Sequence, residues 1–158
     1  MDDRRAALIG RLFELVREAQ RRTDEFDQAV ADYLGVSRTE ARCLDVLDDA
    51  GPMTAGQLAE RSRLTTGAVT KVVDRLEGLG YVGRRPDPHD RRRVIVDLTP
   101  RTRRLAAELY EIPPAAMEDF QALFSDGDLG VLVTYFERGN ELADLRRSRL
   151  EARRRRRR

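Results

Sequence analysis

Leu64-Thr65-Thr66-Gly67-Ala68-Val69-Thr70-Lys71-Val72-Val73-Asp74-Arg75-Leu76-Glu77 carries Val69, Val72, Val73 and Leu76, with Leu79 just beyond, at spacings of three, four and seven residues. On a 3.6-residue helix these make one apolar stripe. The opposite face holds Gly67, Thr70, Lys71 and Asp74, short or polar residues able to lie close against another body. Thr65 stands where an N-cap belongs, its hydroxyl able to accept from first-turn N–H groups. Gly80 follows the pattern at the place where a left-handed residue closes a helix.

Working outward, Thr54 and Gln57 have capping-box spacing, and Leu58 and Ala59 then face inward. Arg61-Ser62-Arg63 is too brief for more than a turn, so two short helices in tandem read as helix-turn-helix. Tyr81-Val82-Gly83-Arg84-Arg85 predicts a strand, and Arg93-Val94-Ile95-Val96-Asp97-Leu98 a second one, being β-branched and apolar. Between them, Pro86 to Arg92 carries two prolines and dense charge and is expected to be irregular. An arginine-tipped hairpin after a helix-turn-helix is a wing.

Toward the N-terminus, residues 3 to about 34 predict one long amphipathic helix ended by Gly35. Its stripe runs through Leu8, Ile9, Leu12, Phe13, Leu15 and Val16, then Phe26, Val30 and Tyr33. Ser37-Arg38-Thr39-Glu40 is a capping box opening a helix that Gly51-Pro52 stops. Beyond the wing, Thr99-Pro100 starts another helix, cap then proline. Pro113-Pro114 breaks or kinks it, residues 115–124 resume helical spacing, and a last helix spans 127 to about 151. The predicted fold is mainly α with a small β-hairpin wing. A winged helix-turn-helix lobe at 36–99 lies between N-terminal (1–35) and C-terminal (100–151) dimerisation helices, and residues 152–158 form a disordered arginine tail. The apolar faces at both ends have little local surface to bury them, and a two-fold dimer would cover them.

Composition narrows the function. Charged residues make up 37% of the chain, yet net charge is only +2, so basic character matters only where it is local. One cysteine, Cys43, and one histidine, His89, exclude a disulfide framework and a Cys/His metal site within one chain. No glycine-rich phosphate loop or catalytic constellation is present, so neither an enzyme nor a cofactor is expected. No apolar run approaches membrane-spanning length and Met1-Asp2-Asp3 opens no signal peptide, so the expected protein is cytoplasmic, with no membrane partner.

Thr65, Thr66, Gly67, Ala68, Thr70 and Lys71 are the candidate groove-facing set. Hydroxyls suit phosphate oxygens or base edges, methyls suit thymine, and glycine allows close backbone approach. Arg91, Arg92 and Arg93 form the wing set, because a guanidinium desolvates readily and suits a narrow minor groove. Asp90 is unfavourable near phosphate unless paired, so it is expected to hold an arginine. Arg75, Arg84 and Arg85 either contact the DNA backbone or make internal ion pairs. His89 reads as a solvated loop residue, and Asp45, Asp48 and Asp49 as a solvated acidic edge. Cys43 reads as a small, partly buried hydrophobe; a redox role would need a lowered thiol pKa. The terminal arginines could add nonspecific attraction to phosphate of DNA or RNA.

Leu64-Thr65, Val69-Thr70, Val73-Asp74, Leu76-Glu77, Gly80-Tyr81-Val82, Arg85, Asp87-Pro88-x-Asp90-Arg91-Arg92 and Leu98-Thr99-Pro100 together resemble the MarR family of winged-helix regulators. The resemblance implies a homodimer on palindromic double-stranded operator DNA, acting as a repressor. It implies that the helix after Thr65 enters the major groove, that Arg92 reaches the minor groove, and that Asp90 orients it. It also allows release by a small organic or anionic effector, at residues that are unknown. The family's redox branch places its cysteine in the first helix, where this chain has none, and Pro113-Pro114 departs from the family's uninterrupted fifth helix. A competing expectation is an architectural DNA-binding protein with low sequence specificity and no effector.

Overall fold

The computed structural model describes residues 3–88, 90 and 93–157, in two compact units, Met1–Tyr110 and Glu111–Arg158. The first contains α1 (Asp3–Leu34), α2 (Arg38–Ala50), β1 (Met53–Thr54), α3 (Ala55–Ser62), α4 (Thr66–Gly78), β2 (Val82–Pro86), β3 (Val94–Leu98) and α5 (Pro100–Leu109). The second contains α6 (Pro114–Gln121) and α7 (Asp126–Arg155). The fold is mainly α with a small antiparallel sheet, as expected.

The caps read from sequence are formed. Ser37 and Glu40 make a reciprocal capping box at α2, and Thr54 and Gln57 make one at α3. Thr65 accepts from the Ala68 N–H at 3.3 Å, and Thr99 caps α5 with Pro100 at the first helical position. Gly35 and Gly80 sit at φ 65° and 76°, a region that side chains disfavour, and each lets its helix close with a 6→1 bond. In those bonds Val36 N–H donates to Ala31 C=O and Tyr81 N–H to Leu76 C=O.

Four local expectations need correction. The turn between α3 and α4 does not occupy Arg61-Ser62-Arg63: α3 continues through Ser62, and Arg63 turns the chain at φ 57°. Leu64 N–H then donates to Ala59 C=O, so the glycine-type closure is made without glycine. Pro86 is not irregular but ends β2 opposite Val94; β2 is an edge strand, where a missing N–H is tolerated. A third strand joins the expected hairpin: β1 pairs with β3 through Met53↔Val96 and Thr54↔Ile95, giving the order β1-β3-β2. At two residues it is too short to show alternation. Finally, α7 runs through Arg155, so the tail expected to be disordered is helical over its first arginines. Arginine is a good helix former, and cations favour a helix C-terminus.

One core holds the first unit together. Cys43, Leu47, Leu58, Val69, Val73, Leu76, Val82 and Val96 are its fully enclosed side chains, drawn from α2, α3, α4, β2 and β3. The predicted α4 stripe is therefore the buried face, apart from Val72, which is half-buried, and Leu79, which is 44% exposed. The second unit, among its described residues, buries no side chain. Leu129, Leu132, Val133 and Phe136 share one side of α7, while Leu142 and Leu145 fall on the opposite side, so its apolar stripe changes face midway. Leu76→Ala is expected to lower the unfolding free energy by about 2–5 kcal/mol and Leu79→Ala by less than about 1 kcal/mol, read from urea denaturation at fixed protein concentration.

Candidate nucleic-acid interface

The exposed side of α4 is made of Thr66, Gly67, Thr70 and Lys71, with Thr65 exposed at the cap and Ala68 half-buried. Two of the hydroxyls have local duties. Thr65 caps, and Thr70 donates to Thr66 C=O at 3.0 Å, which leaves its lone pairs facing out. A Cβ built on Gly67 meets nothing within 4 Å, so packing within the protein does not require glycine there. Lys71 has no ion pair among the described residues, unlike Arg75, Arg84 and Arg85. The face is thus small, polar and cationic at one point.

Arg75, Arg84 and Arg85, left open between DNA backbone and internal pairing, all have acidic neighbours in the lobe. Arg75 Nε lies 3.0 Å from Glu40 Oε1, and its guanidinium also donates to Gly35 C=O at 3.3 Å. Arg84 bridges Asp74 and Glu77, which hold its guanidinium more firmly in the charged form, Asp74 most of all. Arg85 comes within 3.9 Å of Asp97, which also pairs with Arg103. These arginines tie α4 to α2 and to β2, and β2 and β3 to α5.

At the wing tip, the Asp90 carboxylate lies 3.3 Å from Arg93 Nε, and Arg93 N–H donates to Asp90 C=O at 2.8 Å, whereas the pairing with Arg92 that the resemblance implies falls outside the described residues. Asp87 N–H donates to Arg93 C=O at 3.0 Å, extending the β2–β3 ladder outward. His89, Arg91 and Arg92 lie outside the described residues.

A groove of about 430 Å³ opens between α1, α2 and the end of α5, lined by Asp27, Arg38, Arg42, Asp45 and Tyr110 among others. Arg38 reaches Asp24 at 3.4 Å and Asp27 at 3.5 Å. The Tyr110 hydroxyl donates to Asp45 at 3.4 Å, and its ring stands edge-on to Phe26 with centroids 5.3 Å apart. Desolvation raises the Asp45 pKa, and the charge of Asp27 adds to that. Asp45 is therefore less freely solvated than the acidic edge expected of it. The groove is not legible in the sequence because its residues come from segments up to 83 positions apart with no local motif. Cys43 is fully buried, and burial pushes its thiol pKa up, opposite to what a redox sensor needs. Among the described residues no cluster of three or more His, Cys, Asp or Glu is arranged to hold a metal, and no helix is long and apolar enough to cross a membrane.

A capped, small-residue helix displayed beside an acid-braced arginine wing defines a DNA-binding winged helix-turn-helix protein. The chain belongs to the MarR family of transcriptional regulators. The MarR family model matches residues 34–93. Over 138 residues the chain is 34% identical to YcgE of Bacillus subtilis (strain 168), an uncharacterized HTH-type transcriptional regulator, covering 87% of this chain and 90% of YcgE. Its fold is similar to that of a MarR family protein from Bacillus stearothermophilus, at TM-score 0.63 and 22% identity over 91% of this chain and 99% of that one. It is also similar to NadR in complex with 4-hydroxyphenylacetate, at TM-score 0.57 and 20% identity over 84% and 89% of the respective chains.

Because the Asp45 pKa is raised in the folded state, ionising it opposes folding. Asp45→Asn is expected to be more stable than the parent at pH above the folded Asp45 pKa. That advantage should disappear as pH falls below the ordinary carboxylate value, where both states of the parent are protonated. Thermal unfolding followed across pH checks the sign.

Proposed function

We propose that this regulator is a repressor that grips a palindromic operator as a homodimer, α4 in the major groove and the wing in the flanking minor groove. In this reading Thr66, Gly67, Ala68, Thr70 and Lys71 meet bases and phosphates, Thr65 fixes the helix start, and Arg91, Arg92 and Arg93 serve the wing. The observation that carries it is the outer face of α4, free of bulk at Gly67 and bearing Lys71, which has no ion pair among the described residues. Homodimerisation is supported by the exposed apolar residues of α1, among them Leu8, Ile9, Leu12 and Phe13, and by those of α7, among them Val133 and Phe136. Two copies on a two-fold axis set the recognition helices on half-sites roughly 10 bp apart.

Relief of repression follows from a small organic or anionic molecule entering the α1–α2–α5 groove. NadR, with 4-hydroxyphenylacetate bound, is the relevant neighbour. Arg42 offers a cation there, and the Phe26–Tyr110 pair offers an aromatic edge. A ligand that competes for Arg38 loosens its hold on Asp24 and Asp27 of α1, and so shifts α2 relative to α1. Any such ligand acts only through its differential affinity for the two forms.

Selection of bound sequences from random duplex DNA tests the proposal. A palindrome with half-sites about one helical turn apart is the expected product; a product without symmetry would mark a low-specificity architectural binder instead. On the selected operator, Lys71→Ala combined with Arg92→Ala should weaken binding by about 2 kcal/mol or more, roughly 30-fold, in a fluorescence anisotropy titration. Undiminished affinity of this double variant would refute the assignment of α4 and the wing.

A further inference from the structure

Residues 146–158 hold nine of the 30 basic residues and one of the 28 acidic ones, so this segment carries +8 and the remaining 145 residues carry −6. The modest net charge of the chain therefore hides an uneven division: residues 1–110 carry +1, residues 111–145 carry −7 and residues 146–158 carry +8. A first unit so close to neutral exerts little long-range attraction on a phosphate polyanion. Within the lobe, Arg75, Arg84, Arg85 and Arg93 each face a carboxylate, which weakens their pull on phosphate.

The segment is built to present charge. α7 stays helical through Arg155, so Arg146, Arg149, Arg153, Arg154 and Arg155 ride a rod about 14 Å long from first to last, at a rise of 1.5 Å per residue. Among the described arginines of residues 146–157, only Arg147 has acidic partners, Asp144 at 2.9 Å and Glu151 at 4.0 Å. All of the arginines from 153 to 157 are exposed. They are distributed around the helix instead of lining one side.

We infer that the basic end of α7 is a second DNA-binding surface, an arm that grips the phosphates of duplex DNA independently of sequence. Double-stranded DNA fits better than the other polyanions. Residues 137–158 contain no aromatic side chain, so the arm has no platform for stacking the unpaired bases of single-stranded RNA. Residues 146–158 contain one large apolar residue, Leu150, and so have no apolar face to seat in a membrane surface. Guanidinium groups on a rod suit repeated phosphates, and each neutralised phosphate releases counterions. The arm thus supplies affinity and long-range steering, while α4 and the wing supply choice of sequence. It makes no demand on dimerisation or on an operator.

The test compares the full chain, a chain ending at Ala152, and the full-length chain with Arg153→Gln, Arg154→Gln, Arg155→Gln, Arg156→Gln and Arg157→Gln together. The glutamine variant keeps helix length and propensity, and circular dichroism melting of each protein checks folding. Each is titrated onto a 40-bp random-sequence duplex over a range of KCl concentrations. Both variants should lose at least about tenfold in affinity at 100 mM KCl, and their log–log salt slope should fall by about 2 to 5, at about 0.9 for each phosphate no longer neutralised. Unchanged affinity and slope in both variants would overturn the inference. So would an unchanged duplex slope accompanied by lost binding to single-stranded RNA or to phosphatidylserine vesicles. Sequence selection with the chain ending at Ala152 separates the two readings: a retained palindrome with a reduced slope supports both, and a reduced slope without any palindrome leaves the arm standing alone.

Discussion

Glu40 is the residue on which the geometry of the DNA-binding lobe depends. It is only 7% exposed, yet its carboxylate serves three segments. One oxygen accepts from the Ser37 N–H at 2.7 Å and the Ser37 hydroxyl at 2.9 Å, closing the capping box of α2. The other faces Arg75 of α4, and Arg75 in turn reaches the carbonyl of Gly35, between α1 and α2. A buried carboxylate is costly unless its lone pairs are all used, and here hydrogen-bond donors and a guanidinium use them. Helix α4 is therefore registered against the end of α1 and the start of α2 together. Tyr81 adds a second fastening just past α4, its hydroxyl donating to Leu34 C=O at 2.8 Å. A displacement of α1 relative to α2 has to move or break these bonds, so it is felt at α4 without any contact to the recognition face.

The same logic explains where the arginines of the lobe went. Most of those legible as phosphate contacts are braces: Arg75 to Glu40, Arg84 to Asp74 and Glu77, Arg85 toward Asp97. The pairs of Arg84 and Arg85, which are not buried, add little stability, about 0–1 kcal/mol each, so their value is geometric. They set the angle between α4 and the β2–β3 wing. Lys71 stands apart from this network, and an ammonium on a face of small residues is the simplest way to reward close approach of a phosphate.

Much of this is legible in the sequence, for identifiable reasons. α1, α2, α4 and α5 announce themselves through strict periodicity and through caps whose chemistry is local: Ser37 with Glu40, Thr54 with Gln57, Thr65, and Thr99 with Pro100. The α3–α4 turn falls two residues later than its spacing suggests because Arg63 takes the left-handed conformation that normally advertises itself as glycine. β1 has two residues and exists only because β3 offers it an edge, which is tertiary information. The acidic partners of Arg75 and Arg85 lie far along the chain or across the hairpin, and no local spacing reveals them. The groove near Asp45 and Tyr110 is hidden for the same reason. Cys43, expected to be partly buried, is fully enclosed because α2 packs against α3 on that side.

The division of charge along the chain bears on how such a regulator finds its site. Affinity from phosphate contacts is sequence-independent, and too much of it on the recognition face would hold the protein equally to every stretch of DNA. Within the lobe, Arg75, Arg84, Arg85 and Arg93 face acidic side chains, which under the proposed function leaves discrimination to shape and to the few groups displayed by α4. The general attraction still needed for rapid association is concentrated instead at the far end of α7, beyond the last apolar residue, Leu150. Separating the two tasks in sequence lets each vary alone: length and charge of the terminal arginine run can tune residence on bulk DNA while leaving the packing of Leu76 and Val73, and hence the outward face of α4, untouched.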